Sequence, residues 1–138
     1  MKKVILNKCY GGFDVSYIAY KRYCEKKHLP LFVYKMSIDT GSITYEKVKD
    51  LDKFNSAFTY YFTKDYGDRL TKLPEDNHLY LSREHREDPV LIEVIEELGN
   101  EASGSFGDLV IVEIPDDLDY VIDDYDGIET LHQRVQEW

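Results

Sequence analysis

The 138-residue chain has only two cysteines and no long apolar run. After Met1-Lys2-Lys3 it holds a handful of apolar residues, too few for a signal peptide, and no stretch approaches the roughly 20 apolar residues of a membrane span. Cys9 and Cys24 form no two-cysteine metal or redox motif, and a reducing cytosol favours free thiols. We therefore expect a cytoplasmic protein that does not enter a membrane.

Metal-binding and phosphate-loop motifs are also missing from the sequence. The four histidines are isolated, and neither H-E-x-x-H, G-x-x-x-x-G-K-[ST] nor G-x-G-x-x-G occurs. An EF-hand loop aligned on Gly127 fails, because Ile122 falls at the first ligand position and Gln133 at the twelfth. We expect no metal site and no cofactor.

Lysine and arginine are scarce at the C-terminal end. Residues 113–138 hold nine Asp/Glu and Arg134 alone, whereas residues 1–50 hold ten Lys/Arg and five Asp/Glu, and the net charge of the chain is −10. An acidic protein repels duplex phosphates at long range, so we expect no direct binding to duplex nucleic acid. The acidic C-terminal region leaves two alternatives open, a DNA mimic or a surface that captures a protein.

Both helices are predicted from their boundaries. Ser16 is placed to cap the first helix. This helix should end before residues 28–30, because Pro30 cannot continue a helix. The second has Asp88 as N-cap, Pro89 at its first position and Gly99 just past its end. With 43% hydrophobic and 14% aromatic residues, the chain can form one domain with a core, which we expect to span residues 1–138.

Apolar and β-branched runs predict strands at residues 3–6, 31–36, 57–63, 78–81 and 109–114. The last of these is the most hydrophobic, so we expect it at the centre of the sheet. Tyr120 and Ile122 before the Asp126-Gly127 turn, and Ile128, Thr130 and His132 after it, predict a hairpin. Residues 43–55 show no clear pattern, and residues 68–77 predict a surface loop.

The order of these elements predicts an α+β fold. We expect a largely antiparallel sheet with two main helices packed on one side. The strand at 109–114 and the hairpin that follows it should form a C-terminal three-stranded meander.

Two adjacent glycines join the first strand to the first helix. Gly11 and Gly12 permit backbone angles that other residues resist, and the first N–H groups of the helix should lie just beyond them. Lys8 is a nearby charge partner for a phosphate or carboxylate. The spacing is unspecific, so a tight turn with a solvated lysine is the stronger interpretation of this segment taken alone.

Twelve tyrosines offer stacking surfaces for a base or hot spots for a protein partner, although most should fill the core. Together with the glycine turn and three arginines, they predict a pocket that holds a phosphate and stacks an adenine. The residues of this predicted pocket are Lys8, Tyr10, Gly11, Gly12, Arg83, Arg86 and Arg134.

Cys9 is the one candidate for catalysis. It lies near the predicted start of a helix, whose dipole lowers the pKa of a thiol, and a histidine that approached it would complete a nucleophilic pair. Free cysteine is more often a buried, inert residue. We therefore expect no catalytic residue and keep a Cys-dependent hydrolase as an alternative.

Three blocks of the sequence resemble those of a family of small bacteriophage and prophage proteins. They are Asn7-Lys8-Cys9-Tyr10-Gly11-Gly12-Phe13 with Ser16, Arg86-Glu87-Asp88-Pro89 with residues 94–99, and residues 112–117 with Tyr125-Asp126-Gly127. The similarity covers both ends and the second helix, but not residues 30–80. Members of the family often close with a His-Arg pair before an aromatic residue, whereas this chain has Gln133-Arg134 and then Trp138.

The resemblance implies a viral accessory role without an established activity. Combined with the predicted pocket, it favours a phage protein in the infected host cell that sequesters a nucleotide-like defence signal by binding alone. The alternatives are a DNA mimic or an inhibitor of a host protein, both using the acidic C-terminal region, and the Cys-dependent hydrolase. Self-association is left open, because exposed strand edges often need a second chain to cover them.

Overall fold

The computed structural model describes residues 1–51 and 58–134. The chain forms two compact units: unit 1 comprises Met1–Tyr23 with Leu81–Trp138, and unit 2 comprises Cys24–Tyr80. Unit 2 is thus an insertion within the sequence of unit 1. The expected single domain over residues 1–138 covers both units and stays a prediction.

The described residues contain nine strands, two α-helices and two short 3₁₀ helices. The strands are β1 (Lys2–Asn7), β2 (Phe32–Asp39), β3 (Ser42–Lys47), β4 (Thr59–Phe62), β5 (Arg69–Leu70), β6 (His78–Leu79), β7 (Leu109–Ile114), β8 (Tyr120–Tyr125) and β9 (Ile128–Gln133). The helices are α1 (Tyr17–Lys26) and α2 (Pro89–Leu98), and the 3₁₀ helices are Arg83–His85 and Gly99–Ala102. Every described pairing is antiparallel, which confirms the α+β class.

Each predicted strand overlaps an observed one, and two further strands lie where none was expected. β3 occupies part of the stretch 43–55, because it pairs in register with β2. β5 interrupts the predicted loop 68–77 by pairing with β3. Ala57 of the predicted strand 57–63, and residues 52–55 of the stretch 43–55, lie outside the described residues. None of the helices in the described residues is long and apolar enough to cross a bilayer.

The strands form three sheets, with the strand orders β1-β7, β5-β3-β2-β4-β6 and β8-β9. The hairpin β8–β9 follows β7 as expected, but the pairing differs from a three-stranded meander. In the described residues β7 pairs with β1 and not with β8, so the most hydrophobic strand lies in a two-stranded ladder. The hairpin packs one of its faces onto the β1–β7 pair and, among the described residues, does not extend it through backbone hydrogen bonds. Its contacting side chains, Tyr120, Ile122 and Leu131, pack against the buried cluster of Val4, Leu6 and Ile114.

The second helix begins and ends as predicted. One carboxylate oxygen of Asp88 accepts the N–H of Val90 at 2.9 Å, Pro89 takes the first helical position, and Gly99 has a φ of 60° just past the end. α2 packs against β7 and β1 through buried side chains that include Leu91 and Val94. This packing places the start of α2 beside the first strand.

The first helix is capped by Ser16, whose hydroxyl accepts the N–H of Ala19 at 3.2 Å. The helix ends at Lys26, and His28 beyond it has a positive φ of 56°. Within unit 1, the Tyr23 hydroxyl donates to Asp88 at 2.7 Å, so the cap of α2 is also a contact of α1.

Two hairpins are closed by turns of the same backbone type. The turn between β2 and β3 has Thr40 at φ 45° and Gly41 at φ 82°, and the turn between β8 and β9 has Asp126 at φ 50° and Gly127 at φ 95°. Two successive positive φ angles match the right-handed twist of the flanking strands, which is why glycine recurs at the second position. Both turns agree with the turn chemistry of their sequences.

Candidate functional site around Glu129

Glu129 is the most buried charged residue of the described chain, with 1% of its surface exposed. It lies on β9 two residues after Gly127, and the strand register places it on the same face of the hairpin as Leu131. Thr130 and His132 lie on the opposite, exposed face. The predicted alternation is therefore present, but the face turned inward is the one that carries Glu129.

The Glu129 carboxylate is bound by three groups from other segments. The backbone N–H of Asn7 donates to Oε1 at 2.8 Å, and Arg86 Nη1 donates to the same oxygen at 2.8 Å. Arg86 Nη2 makes a short hydrogen bond to Oε2, and Arg83 Nε lies 3.4 Å from Oε2. Arg86 thus binds the carboxylate with both ends of its guanidinium, the geometry that gives the strongest ion pairs.

Arg86 also joins the other segments around this carboxylate. Its Nη1 donates to the backbone oxygen of Ile5 at 2.9 Å, and its guanidinium carbon lies 5.5 Å from the centre of the Phe13 ring. A partly buried guanidinium that has a carboxylate, a carbonyl and an aromatic face as partners is well satisfied. We call Asn7, Arg83, Arg86 and Glu129 the Glu129 cluster.

Three of the four cations of the predicted pocket converge, but they do so on this cluster. Lys8 Nζ donates to the backbone oxygen of Glu129 at 2.8 Å, while Arg83 and Arg86 bind its carboxylate, and Arg83 also pairs with Asp124. Arg134 is not brought there. Arg134 follows the last residue of β9, five residues after Glu129 and hence roughly 17 Å from it along the extended chain. Its Nε donates to the Asp119 carboxylate at 3.1 Å.

The glycine turn packs against protein backbone. The N–H of Gly12 donates to the backbone oxygen of Phe106 at 3.1 Å, and a Cβ added to Gly11 would lie 1.9 Å from that same oxygen. A Cβ added to Gly127 would lie 2.9 Å from the backbone N and C atoms of Gly11. The N–H of Gly12, which an anion would need, is therefore engaged within the protein, and the glycines permit three segments to meet.

Asn7 holds these segments together with its side chain. It is fully buried, its Nδ2 donates to Gly127 at 2.6 Å and to Cys9 at 3.0 Å, and its Oδ1 accepts the N–H of Asp108 at 2.8 Å. All three bonds are to backbone groups. The side chain therefore links the backbones of the segment after β1, the segment before β7 and the hairpin turn, as strand pairing would in a sheet. Two of the blocks that carry the resemblance, the one that begins at Asn7 and the one that ends at Gly127, meet at this side chain.

Cys9 is half-buried, and its thiol donates to the Phe106 backbone oxygen at 3.1 Å. α1 begins at Tyr17, directly after the Ser16 cap as predicted, and Cys9 lies eight positions before this helix start. Within unit 1, His85 accepts the N–H of Ser82 and His132 lies 3.1 Å from Asp123, so both rings are engaged with other groups. The thiol has an acceptor to orient it, but neither of these histidines is its base.

Three aromatic side chains are exposed around the glycine contact. Tyr10 is 72% exposed, Phe106 64% and Tyr125 74%. Tyr10 adjoins Gly11 in the chain, Phe106 touches Gly11 through its backbone, and Tyr125 precedes the Gly127 turn that packs on Gly11. We call Tyr10, Phe106 and Tyr125 the aromatic rim. Large exposed apolar groups on a rigid backbone are a feature of binding surfaces.

We expect acid to destabilise the Glu129 cluster. Burial alone raises the pKa of Glu129, but the hydrogen bond from Arg86, the Asn7 N–H and the charges of Arg86 and Arg83 outweigh it, so the pKa is lowered. A carboxyl with a lowered folded-state pKa stabilises the fold fully above the unfolded-state value of about 4.3, and this contribution is lost as the pH falls through the folded-state pKa.

Urea unfolding of the parent and of Glu129→Gln, measured between neutral pH and pH 3, checks this expectation. The parent should lose stability more steeply below pH 4 than the variant, because the amide does not titrate. Equal slopes for the two proteins would contradict the assignment of the acid response to Glu129.

Comparison with known proteins gives no match: no family model fits the chain, and neither a curated protein nor a solved structure is significantly similar to it. Among the described residues, no group of three or more His, Cys, Asp and Glu side chains is arranged to hold a metal ion. The features that bear on function are therefore the Glu129 cluster and the exposed aromatic side chains.

Proposed function

We propose that the protein works by binding a partner protein through the aromatic rim. The observation that supports this most directly is the exposure of all three rings, 64 to 74%, on segments held together by Gly11, Gly127 and the Glu129 cluster. A preorganised surface loses little freedom on binding, and aromatic side chains bury a large area with few rotatable bonds. The resemblance to phage proteins makes a host protein the partner that we propose.

The charge of unit 1 supports a partner with a basic contact surface. Unit 1 has eight Lys/Arg and 18 Asp/Glu, whereas unit 2 has nine of each, so unit 1 accounts for the net charge of −10. Next to Tyr125 of the rim lie Asp123, Asp124 and Asp126. Acidic groups beside an aromatic anchor steer a basic partner toward it and accelerate association at low salt.

Sequestration of a nucleotide-like signal is the second candidate, and Lys8 is the observation in its favour. Lys8 is exposed, and among the described residues its ammonium is hydrogen-bonded to a carbonyl oxygen and to no carboxylate. It could therefore hold a phosphate while Tyr10, two residues along the chain, stacks on the base. Arg83 and Arg86 support this candidate less, because Glu129 already binds both.

The proposal is tested with the double variant Tyr10→Ala/Tyr125→Ala. The tagged parent is used to capture a factor from a lysate of a bacterial host, and the purified factor is then titrated with each protein. We expect the double variant to bind at least about 30-fold more weakly, the loss typical of truncating hot-spot aromatics. The rings are exposed, so its thermal melting should match that of the parent.

Tyr80→Ala is the matched control, because Tyr80 is 63% exposed but lies in unit 2. It should bind the factor like the parent. Equal binding by the double variant would contradict the proposal. Competition by duplex DNA for the factor would identify a DNA mimic. A nucleotide panel that raises the melting temperature of the parent, but not of Lys8→Ala, would favour the second candidate.

A further inference from the structure

Unit 2 carries a continuous strip of aromatic rings that is separate from the aromatic rim. The Tyr45 and Tyr60 rings lie 5.6 Å apart between centroids at an angle of 86°, and the Tyr60 and His78 rings lie 6.3 Å apart. His78 and Tyr80 are stacked, with centroids 6.2 Å apart and planes inclined by 15°. We call Tyr45, Tyr60, His78 and Tyr80 the aromatic strip.

The strand register explains why these rings share one face of the five-stranded sheet. Tyr34 pairs with Tyr60 and Phe62 with His78, and cross-strand partners point to the same side. Tyr34 and Phe62 are fully buried, with their centroids 5.7 Å apart, and the Phe62 ring lies 5.0 Å from that of His78. The strip therefore adjoins a packed aromatic row on the same face, which fixes the position of its rings.

The outer end of the strip is open to solvent. Tyr80 is 63% exposed and His78 is also exposed, so both residues leave surface open for contact with a ligand. Burial lowers the pKa of His78, so its ring is neutral at neutral pH. His78 and Tyr80 thus offer two exposed, nearly parallel rings, which we call the stacking platform, whereas a site for a small molecule is usually a concavity that encloses its ligand.

One exposed cation is linked to the strip through the rings of Tyr66 and Phe62. Lys64 is exposed, and its ammonium lies 5.3 Å from the centroid of the Tyr66 ring. The Tyr66 ring lies 5.8 Å from that of Phe62, which in turn contacts His78. Within the described residues Lys64 has no carboxylate partner. Unit 2 has equal numbers of acidic and basic residues, so it lacks the negative charge that makes unit 1 repel phosphates.

We propose that the aromatic strip binds single-stranded nucleic acid, with bases stacked on His78 and Tyr80 and a backbone phosphate near Lys64. Every base has an aromatic face, so such stacking tolerates any sequence, and a row of rings lets one strand gain several contacts. Duplex bases are already stacked on one another and cannot use the platform. This binding would be independent of the partner protein proposed for unit 1.

The test measures fluorescence anisotropy with a labelled, mixed-sequence single strand of about 12 nucleotides, within the range of known single-strand sites. We expect saturable binding at low salt, and Tyr80→Ala should weaken it at least about fivefold, the smallest effect usual for the loss of one stacked base. Tyr80→Phe should bind like the parent, because it keeps the ring. Tyr125→Ala removes an equally exposed tyrosine from unit 1 and should leave binding unchanged.

Lys64→Ala provides a second readout. Each neutralised phosphate contributes about −0.7 to the slope of log affinity against log salt for a single strand, so this variant should lower the slope by about that amount. No binding by the parent, equal affinity for the duplex of the same sequence, or no effect of Tyr80→Ala would each overturn the proposal. A mononucleotide that competes as tightly as the whole strand would also overturn it, because free nucleotides would then be the ligand.

Discussion

Replacing Glu129 with alanine should lower the free energy of unfolding by about 3 to 5 kcal/mol, the usual cost of removing one partner from a buried ion pair. Most of this loss comes from what is left behind. Arg86, whose side chain is only 13% exposed, would lose its carboxylate, and the N–H of Asn7 would lose its acceptor. Urea unfolding followed by circular dichroism gives the difference directly.

A double-mutant cycle separates the pair from the cost of an orphaned charge. Arg86→Met alone should be about as harmful as Glu129→Leu alone, because each leaves one buried charge without its partner. The double variant should be more stable than either single variant, since it leaves no unpaired charge and keeps apolar volume. A double variant whose losses simply add would contradict the direct coupling of the two side chains.

Asp119→Ala serves as the control for this experiment. Asp119 pairs with Arg134 at the open end of the hairpin, where both side chains are largely exposed. Exposed pairs contribute at most about 1 kcal/mol, so this variant should be nearly as stable as the parent. A loss as large as that of Glu129→Ala would mean that hairpin charges in general, and not the buried cluster, set the stability.

Gly127→Ala is expected to cost about 2 to 5 kcal/mol, by two effects that add. A residue with a Cβ pays about 1 to 2 kcal/mol for the left-handed conformation, here φ 95°. The new methyl group would also meet the backbone N and C atoms of Gly11 at 2.9 Å, and such overpacking costs about 1 to 3 kcal/mol. Thermal or urea unfolding of the purified variant measures the sum.

Gly41→Ala isolates the first effect, because Gly41 occupies the same position in the same type of turn, with φ 82° and no atom within 4 Å of the added Cβ. It should cost only the conformational strain. The difference between the two variants is then the contribution of the close approach to Gly11. If both variants lose the same stability, the contact between the hairpin and the glycine turn is not tight in solution.

Features set by neighbours in the chain could be predicted from the sequence. The Asp88 cap, the Pro89 start and the Gly99 end of α2 are consequences of backbone groups within one helix, and they lie where the sequence places them. The Asp126-Gly127 turn is equally local. Such signals depend on a few adjacent residues, so one sequence suffices to recognise them.

Features that depend on distant partners were missed. A lone glutamate in a strand such as β9 reads as a solvent-facing residue, and only the arrival of Arg86 and the Asn7 N–H makes its burial favourable. The same applies to β7, whose hydrophobicity indicates burial but not the strand with which it pairs. Lys8, Arg83 and Arg86 all contact Glu129, but Lys8 binds its backbone oxygen while the two arginines bind its carboxylate, and these contacts change the chemistry that the three cations offer.

The bond between the Asn7 amide and the Glu129 carboxylate joins residues 122 positions apart. A ribosome makes β1 before the other described strands, but β7, with which it pairs, and Glu129, the acceptor for its last amide, follow more than 100 residues later. Among the described residues the strands of unit 2 pair with one another, so we expect unit 2 to fold while the rest is still being made. The nascent protein should therefore mature from the middle outward, with its first strand among the last to settle.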